Sequence, residues 1–376
     1  MRFRARVVWA VVAMLALLTT WGGTRSQGEA MTAVQAGPCQ AISGPFHMRG
    51  AEILNAQNQR YIPYGIGIVG LAHDLYAGTV QRDEDQIAAA QQAWCANTVR
   101  LQVSQDRLIN GRGFDPTKLH LNQTFLAAVK QEIQYARGLG LMVVLNLQTQ
   151  TDADVDQTLT EPTKRAVFFW RKMAKKFGND PGVVFDLFNE PGWVSTWAQW
   201  RNGFVHHGIV YVGFQRLAEA VRAAGAKNIL WLEGMRWGGT LEGVWRHRVK
   251  GVGPLMYAEH RPPKPHTVAS WRGTFGYLAE RNLAPVVVGE WAQYARSDAP
   301  WACWDDAPRA VRRWLDYLAS IEVGVVANKL APGQLIQSTD YTDPTVFKSD
   351  WRCETGLNEG AGLRIMTWFH QQDVPT

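Results

Sequence analysis

Along most of the chain, short apolar runs bounded by glycine, proline or asparagine alternate with longer segments whose apolar residues recur every three to four positions. The short runs predict strands and the longer segments amphipathic helices. Strands are expected at Ile62–Val69, Thr98–Val103, Met142–Leu147, Val183–Phe188, Ile229–Glu233, Leu255–Ala258, Pro285–Glu290 and Val323–Asn328. Helices are expected at Asp83–Trp94, Gln123–Gly138, Thr163–Phe177, Phe204–Ala224, Thr267–Arg281 and Ala307–Ile321, with a last one near Ala361–Gln371. The Gly-rich link Gly234–Pro254 carries the weakest helical signal. The strand runs are continuously apolar rather than alternating, as in a parallel sheet buried on both faces. Eight such strands with helices between nearly all of them predict an α/β fold, a closed (β/α)8 TIM barrel. It would be a single domain with enlarged βα loops and an N-terminal hairpin over Gly44–Arg60 under its floor. An open doubly wound sheet is the alternative, but no G-x-G-x-x-G follows the first strand.

Composition adds that 46% of residues are hydrophobic and 19% charged, enough to bury a large core. A net charge of +6 invites a nucleic-acid or anionic-surface reading. The N-terminus weakens it. Arg2, Arg4 and Arg6 precede an apolar run, Val7–Leu18, and then small residues. That is the order of a secretory signal peptide, and the run falls short of the roughly 20 residues of a spanning helix. Residues 1–30 are therefore expected to be a leader and 31–376 the barrel, secreted or periplasmic. The leader's four arginines and one glutamate carry half of the net charge. With so little charge remaining, no nucleic-acid partner is expected and, after leader removal, no membrane partner; the chain is expected to be a monomer. Four cysteines remain, Cys39, Cys95, Cys303 and Cys353. An even count in an exported chain predicts two disulfides. Of the three possible pairings, Cys39 with Cys95 and Cys303 with Cys353 is preferred, because each bond would staple one end of the chain to itself.

In such a barrel the chemistry sits where strands end and βα loops begin. Those ends present Arg100 and Gln102, then Asn146, Gln148 and Gln150, then Phe188-Asn189-Glu190-Pro191. Further on come Glu233 and Trp237, Tyr257, Glu259 and His260, and Gly289-Glu290-Trp291. A charged residue ending a buried apolar strand is costly unless paired or functional. Glu190 and Glu290 stand out, at the same end of the fourth and seventh strands. Two facing carboxyls are the equipment of glycoside hydrolysis: one protonates the leaving oxygen, the other attacks the sugar carbon or activates a water. The bland reading is that each simply pairs with a barrel arginine such as Arg100.

The segments Val184–Pro191 (VFDLFNEP), Val286–Trp291 (VVVGEW) and Asn97–Leu101 (NTVRL) resemble glycoside hydrolase family 5, the cellulase-type enzymes. Strand order and spacing agree with that family over roughly residues 45–372. The resemblance implies a retaining β-glycosidase with Glu190 as general acid/base and Glu290 as nucleophile. It places Asn189 at the sugar 2-hydroxyl, Arg100 beside Glu290, and His260, with Tyr257 next to it, near the catalytic pair. No cofactor or metal is implied. The chain departs from the family where a histidine often follows strand three, since Gln148 stands there. It departs again where a tyrosine often follows the histidine after strand six, since Arg261-Pro262-Pro263 stands there. Strand eight reads Val325-Val326-Ala327-Asn328-Lys329 in place of a sugar-flooring tryptophan.

Seventeen tryptophans are more than core packing usually asks for. Indoles stack on the apolar faces of sugar rings. Trp193, Trp197, Trp237, Trp291, Trp301, Trp304 and Trp351 fall in segments above the catalytic face, and Trp193, Trp237 and Trp291 are the expected platforms. Trp94, Trp170, Trp314 and Trp368 lie in helices and are expected in the core. Asp152, Asp154 and Asp156 begin like a calcium loop, but Gln157 and Thr163 occupy the positions needing glycine and glutamate. The expected function is hydrolysis of β-linked oligo- or polysaccharide, of glucan or mannan type, through a covalent glycosyl-enzyme. A transglycosylase on the same site and a non-catalytic glycan-binding protein on this scaffold are the alternatives.

Overall fold

The computed structural model describes residues 39–72, 80–111, 113, 115, 117–150, 159–260, 267–291, 307–348 and 359–372. The leader, the Asp152–Asp156 loop, Cys303, Cys353, Trp301, Trp304 and Trp351 lie outside them.

Eight parallel strands close into a barrel: β1 (Tyr64–Ile68), β2 (Thr98–Ser104), β3 (Met142–Thr149), β4 (Val183–Asp186), β5 (Leu230–Glu233), β6 (Leu255–Glu259), β7 (Val286–Trp291) and β8 (Gly324–Ala327). They follow one another in chain order around the barrel, and β8 pairs with β1. Around them run α1 (Val80–Gln92), α2 (Gln123–Gly138), α3 (Lys164–Phe177), α4 (Phe214–Ala223), α5 (Val244–His247), α6 (Val268–Glu280, with a π turn at Arg272–Gly276), α7 (Ala307–Ser320) and α8 (Gly362–Gln372). The link with the weak helical signal holds only the four-residue α5. Among the described residues, no helix is long and apolar enough to cross a membrane.

The continuous apolar strands still alternate in what they face. Met142, Val144, Val184, Trp231, Met256, Ala258, Val287 and Val326 fill the barrel, while their neighbours Val143, Val183, Phe185, Leu232, Val288 and Val325 pack under the helices. Each buried Val, Leu, Phe or Met side chain among these removes from water a surface worth about 1.5–3 kcal/mol. From below, the hairpin His47–Arg49/Glu52–Leu54 closes the floor, sending Phe46 and Ile53 into the interior cluster beside Tyr61. Tyr61 donates to the Asn97 carbonyl at 2.7 Å. α3 shows why a helix forms where it does. Thr163 caps its first turn, and Ala166, Phe169, Trp170, Met173 and Phe177 are buried on one face with Lys172, Lys175 and Lys176 on the other.

The expected helix Phe204–Ala224 is corrected. Its first half is an antiparallel hairpin, Gly203–His206 with Ile209–Val212, and only Phe214–Ala223 is helical. His207 and Gly208, at φ of 46° and 76°, form the two-residue turn. Both central residues at positive φ match the twist of a hairpin and cannot continue a right-handed helix. The β-branched residues Val205, Ile209, Val210 and Val212 favour the strands. The Cys39–Cys95 disulfide is present, joining the segment before the hairpin to the turn between α1 and β2.

Candidate active site

The inward alternation that fills the barrel with apolar side chains continues upward into polar ones. Above Thr98 come Arg100 and Gln102, above Val144 comes Asn146, above Val184 comes Asp186, and above Trp231 comes Glu233. Beyond Ala258 and Val326 come His260 and Asn328. On β7 the pairing slips between Val288 and Trp291, which match Val325 and Ala327 of β8. One extra residue is accommodated there, and such bulges re-aim side chains. Glu290 is thereby turned to the barrel mouth, and Trp291 returns to the helix side.

Arg100 is fully buried and organises the site. Its Nε donates to Asp186, Nη1 to Glu290, and Nη2 to both Glu233 and Asn189, each at 2.8 Å. Glu290 also accepts from Gln102 at 3.3 Å and from Asn328 at 2.8 Å. Glu190 lies just past β4 with φ of 46°, a left-handed conformation that costs a non-glycine residue on the order of 1–3 kcal/mol. Glu233 offsets that cost: its Oε2 accepts from the Glu190 N–H at 2.6 Å. On the side-chain end, His260 Nδ1 lies 3.2 Å from Glu190 Oε1, and Nε2 stands 3.2 Å from Glu233 Oε1.

These neighbours set the charges. Burial disfavours a charged His260, but Glu233's charge and the contacts with Glu190 and Glu233 outweigh it and push the imidazole up to about 10. The same imidazolium, with Arg100, holds Glu233 below the ordinary carboxyl value despite its burial. Glu190 is raised, first by burial and then by the charges of Glu290 and Glu233, against the pull of His260. Asp186 is raised well above its ordinary value by burial and Glu233's charge, against the pull of Arg100. Around the two buried cations, Glu233 is thus held toward its charged form, while Asp186 and Glu190 are shifted toward their protonated forms.

Of the expected site residues, the structure brings Arg100, Asn189, Glu190, His260 and Glu290 together. Gln148 lies at a second register slip, between β2 and β3, and its Oε1 has no hydrogen-bond partner among the described residues. Trp193 and Trp237 are half exposed, at 47% and 51%, on the loops after β4 and β5. Trp237 lies across the backbone just after Glu190: its N–H donates to the Pro191 carbonyl, and a Cβ on Gly192 would stand 2.6 Å from its ring. Two expectations are corrected. Trp291 is buried, its ring centroid 5.1 Å from that of Trp314, because the bulge restores the outward parity of its position, so it offers no face to a sugar. Tyr257 alternates outward from Met256 and Ala258 and is buried in the helix-side layer, away from the catalytic pair. Trp94, Trp170, Trp314 and Trp368 are in the core as expected.

Asp186 and the contact of Asn328 with Glu290 escape sequence reasoning. Counting inward positions from Val184 and Val326 is the signal that finds both. Among the described residues, one group of potential metal ligands gathers, Cys39, Cys95 and His370, and its two sulfurs are bonded to each other.

The model of the cellulase family, glycosyl hydrolase family 5, matches residues 62–332. An endoglucanase of Paenibacillus polymyxa is 23% identical over 294 residues, 66% of this chain and 72% of that protein. Among solved structures, a β-glucanase of Saccharophagus degradans shares the fold with a TM-score of 0.62 at 17% identity, covering 89% of this chain and 95% of that one. The catalytic domain of endoglucanase Cel5A from Thermobifida fusca, in complex with cellotetraose, superposes with a TM-score of 0.60 at 17% identity, covering 89% and 99%.

Proposed function

The chain belongs to the cellulase family, glycosyl hydrolase family 5, and is a glycoside hydrolase; we propose that it is an exported endo-β-1,4-glucanase-like enzyme that works by retention through a covalent glycosyl-enzyme. The observation that carries the reading is the unlike company of the two carboxyls. Glu290 accepts from Arg100, Gln102 and Asn328, which orient a carboxylate for attack on the anomeric carbon. Glu190 is held up by burial and by Glu290's charge, which suits a proton donor to the leaving oxygen.

As Glu290 Oε bonds to the anomeric carbon, the glycosidic C–O bond breaks and the Glu190 proton passes to the departing oxygen. Esterification removes Glu290's charge, and with it one cause that raises Glu190. The acid thereby becomes a base able to take a proton from the incoming water, whose oxygen releases the sugar and regenerates both carboxyls. Asn189, Gln148, Trp193 and Trp237 are the proposed sugar contacts. The names of the relatives, endoglucanases and a β-glucanase, support a β-glucan substrate, and the N-terminal charged and apolar pattern supports export.

The test is digestion of β-1,4-linked glucose oligosaccharides with the anomer of the first product read by NMR. The β anomer is expected first. Glu290→Ala should lose turnover by at least about a thousandfold, with azide restoring cleavage of an activated aryl glycoside and yielding an α-glycosyl azide. Substantial turnover by Glu290→Ala without azide, or initial release of the α anomer, would overturn the mechanism.

A further inference from the structure

The two oxygens of Glu290 are held from different sides. Oε2 accepts from Arg100 Nη1 at 2.8 Å and Gln102 Nε2 at 3.3 Å, whereas Oε1 accepts from Asn328 Nδ2 at 2.8 Å. The same Gln102 nitrogen lies 3.3 Å from Asn328 Oδ1, so the three side chains close a ring of hydrogen bonds. The ring decides which way the Asn328 amide points. A carboxylate only accepts, so the amide nitrogen must face Glu290 and its oxygen the Gln102 donor.

The backbone is built to receive that amide. Asn328 N donates to the Trp291 carbonyl at 2.7 Å, fixing the start of the loop after β8 against the end of β7. From β1, Gly67 faces the amide: a Cβ there would stand 2.5 Å from Asn328 Oδ1. Asn328 and Gln102 are both buried.

We propose that Asn328 is a positioning residue for Glu290, holding Oε1 while Arg100 and Gln102 hold Oε2, so that the carboxylate cannot turn about its last torsion. The assignment rests on the reading of Glu290 as nucleophile. A carboxylate pinned through one oxygen still rotates, and each misdirected orientation lowers the fraction poised for attack. Donors on both oxygens remove that freedom. Asn328 does so without charge, leaving Arg100 shared among Asp186, Glu233 and Glu290. Whichever oxygen attacks, the other becomes the ester carbonyl and keeps its hydrogen bond in the intermediate.

The experiment compares Asn328→Ala and Asn328→Asp with the unaltered full chain on a β-1,4-linked glucose oligosaccharide, recording kcat, KM and the pH profile of kcat/KM. Losing one hydrogen bond to a charged group should lower kcat about ten- to a hundredfold in Asn328→Ala, with KM changed less. The acid limb of the profile should move to higher pH, since a lost donor favours the protonated carboxyl. Asn328→Asp fills the same space but brings a like charge, so its loss should exceed that of alanine. An alanine variant within about twofold of the unaltered enzyme and with an unmoved acid limb would overturn the proposal. So would an aspartate variant that preserves activity, because the residue would then only fill space.

A carbon-13 titration of the Glu290 carboxyl, assigned with Glu290→Gln, reads the same contact without turnover. Its midpoint should rise in Asn328→Ala, and an unmoved midpoint would overturn the assignment. If the unaltered chain cleaves no β-glycan, the function reading fails while this titration still decides the role of Asn328. If the alanine variant does not fold, the isosteric aspartate variant carries the kinetic comparison.

Discussion

Arg100 directs one guanidinium at acceptors from β4, β5, β7 and the loop after β4. A buried ion cluster of this kind contributes little stability beyond what an apolar core would, yet removing one partner leaves uncompensated charge and costs about 3–5 kcal/mol. Its value lies in geometry. The planar fork fixes Glu290, Asn189 and Glu233 relative to one another, and Glu233 in turn fixes the Glu190 backbone. A lysine at this position keeps the charge but supplies a single flexible point. Arg100→Lys should therefore lower kcat/KM on oligosaccharides by about a hundredfold or more and lower the unfolding temperature, as steady-state kinetics and calorimetry would show.

The loop after β4 shows an element positioned by a residue from another. Glu161, buried ahead of α3, accepts from the N–H groups of Trp193 at 2.6 Å and Val194 at 3.2 Å. It therefore anchors the segment that presents the exposed Trp193. Burial pushes its carboxyl from the ordinary 4.5 to about 7, against the pull of those N–H groups. The folded state thus holds the proton more tightly than the unfolded chain. The stabilisation from this group is full below about 4.5, is lost as pH rises through about 7, and stays lost above it. Glu161→Gln keeps an acceptor but cannot ionise. The unfolding free energy across that pH range, read from denaturant titrations, should fall for the unaltered chain by an amount on the order of 3 kcal/mol at most, and stay flatter for the variant. Glu161→Ala removes the acceptor, and KM for long oligosaccharides should rise severalfold while cleavage of a small aryl glycoside changes little. Equal loss on both substrates would count against an anchoring role for the loop.

At the scale of the whole molecule, the barrel separates stability from chemistry. The hairpin, Tyr61 and the Cys39–Cys95 bond lie at the floor, and the charged cluster lies at the mouth. The disulfide closes a loop with a sequence separation of 56 residues. Replacing both cysteines by serine should lower stability by about 2–4 kcal/mol in denaturant titrations and leave kcat at 25 °C within about twofold. A large loss of kcat in the folded variant would show that floor and mouth are coupled. The strand and helix order was legible in the sequence, because the hydrophobic period of a buried parallel strand differs from that of an amphipathic helix. So were Glu190, Glu290, Arg100 and His260, since a charged residue ending an apolar strand stands out. The hairpin at Gly203–Val212 was not, because Phe204, Val205, Ile209 and Val210 satisfy a helical and a strand pattern alike, and only the turn at His207-Gly208 decides between them. Trp291 was misplaced because parity depends on register, and the slip on β7 exists only where β8 pairs with it. Tyr257 follows the plain alternation with Met256 and Ala258, and was misplaced by grouping it with the residues at the strand end. By itself, then, the sequence determined the barrel and which strands end in carboxyls, since local periodicity and burial are written residue by residue. Only the tertiary structure decided which carboxyl is charged, which indoles remain exposed, and that Asn328 reaches Glu290, because those depend on neighbours that closure of the barrel brings together from distant strands.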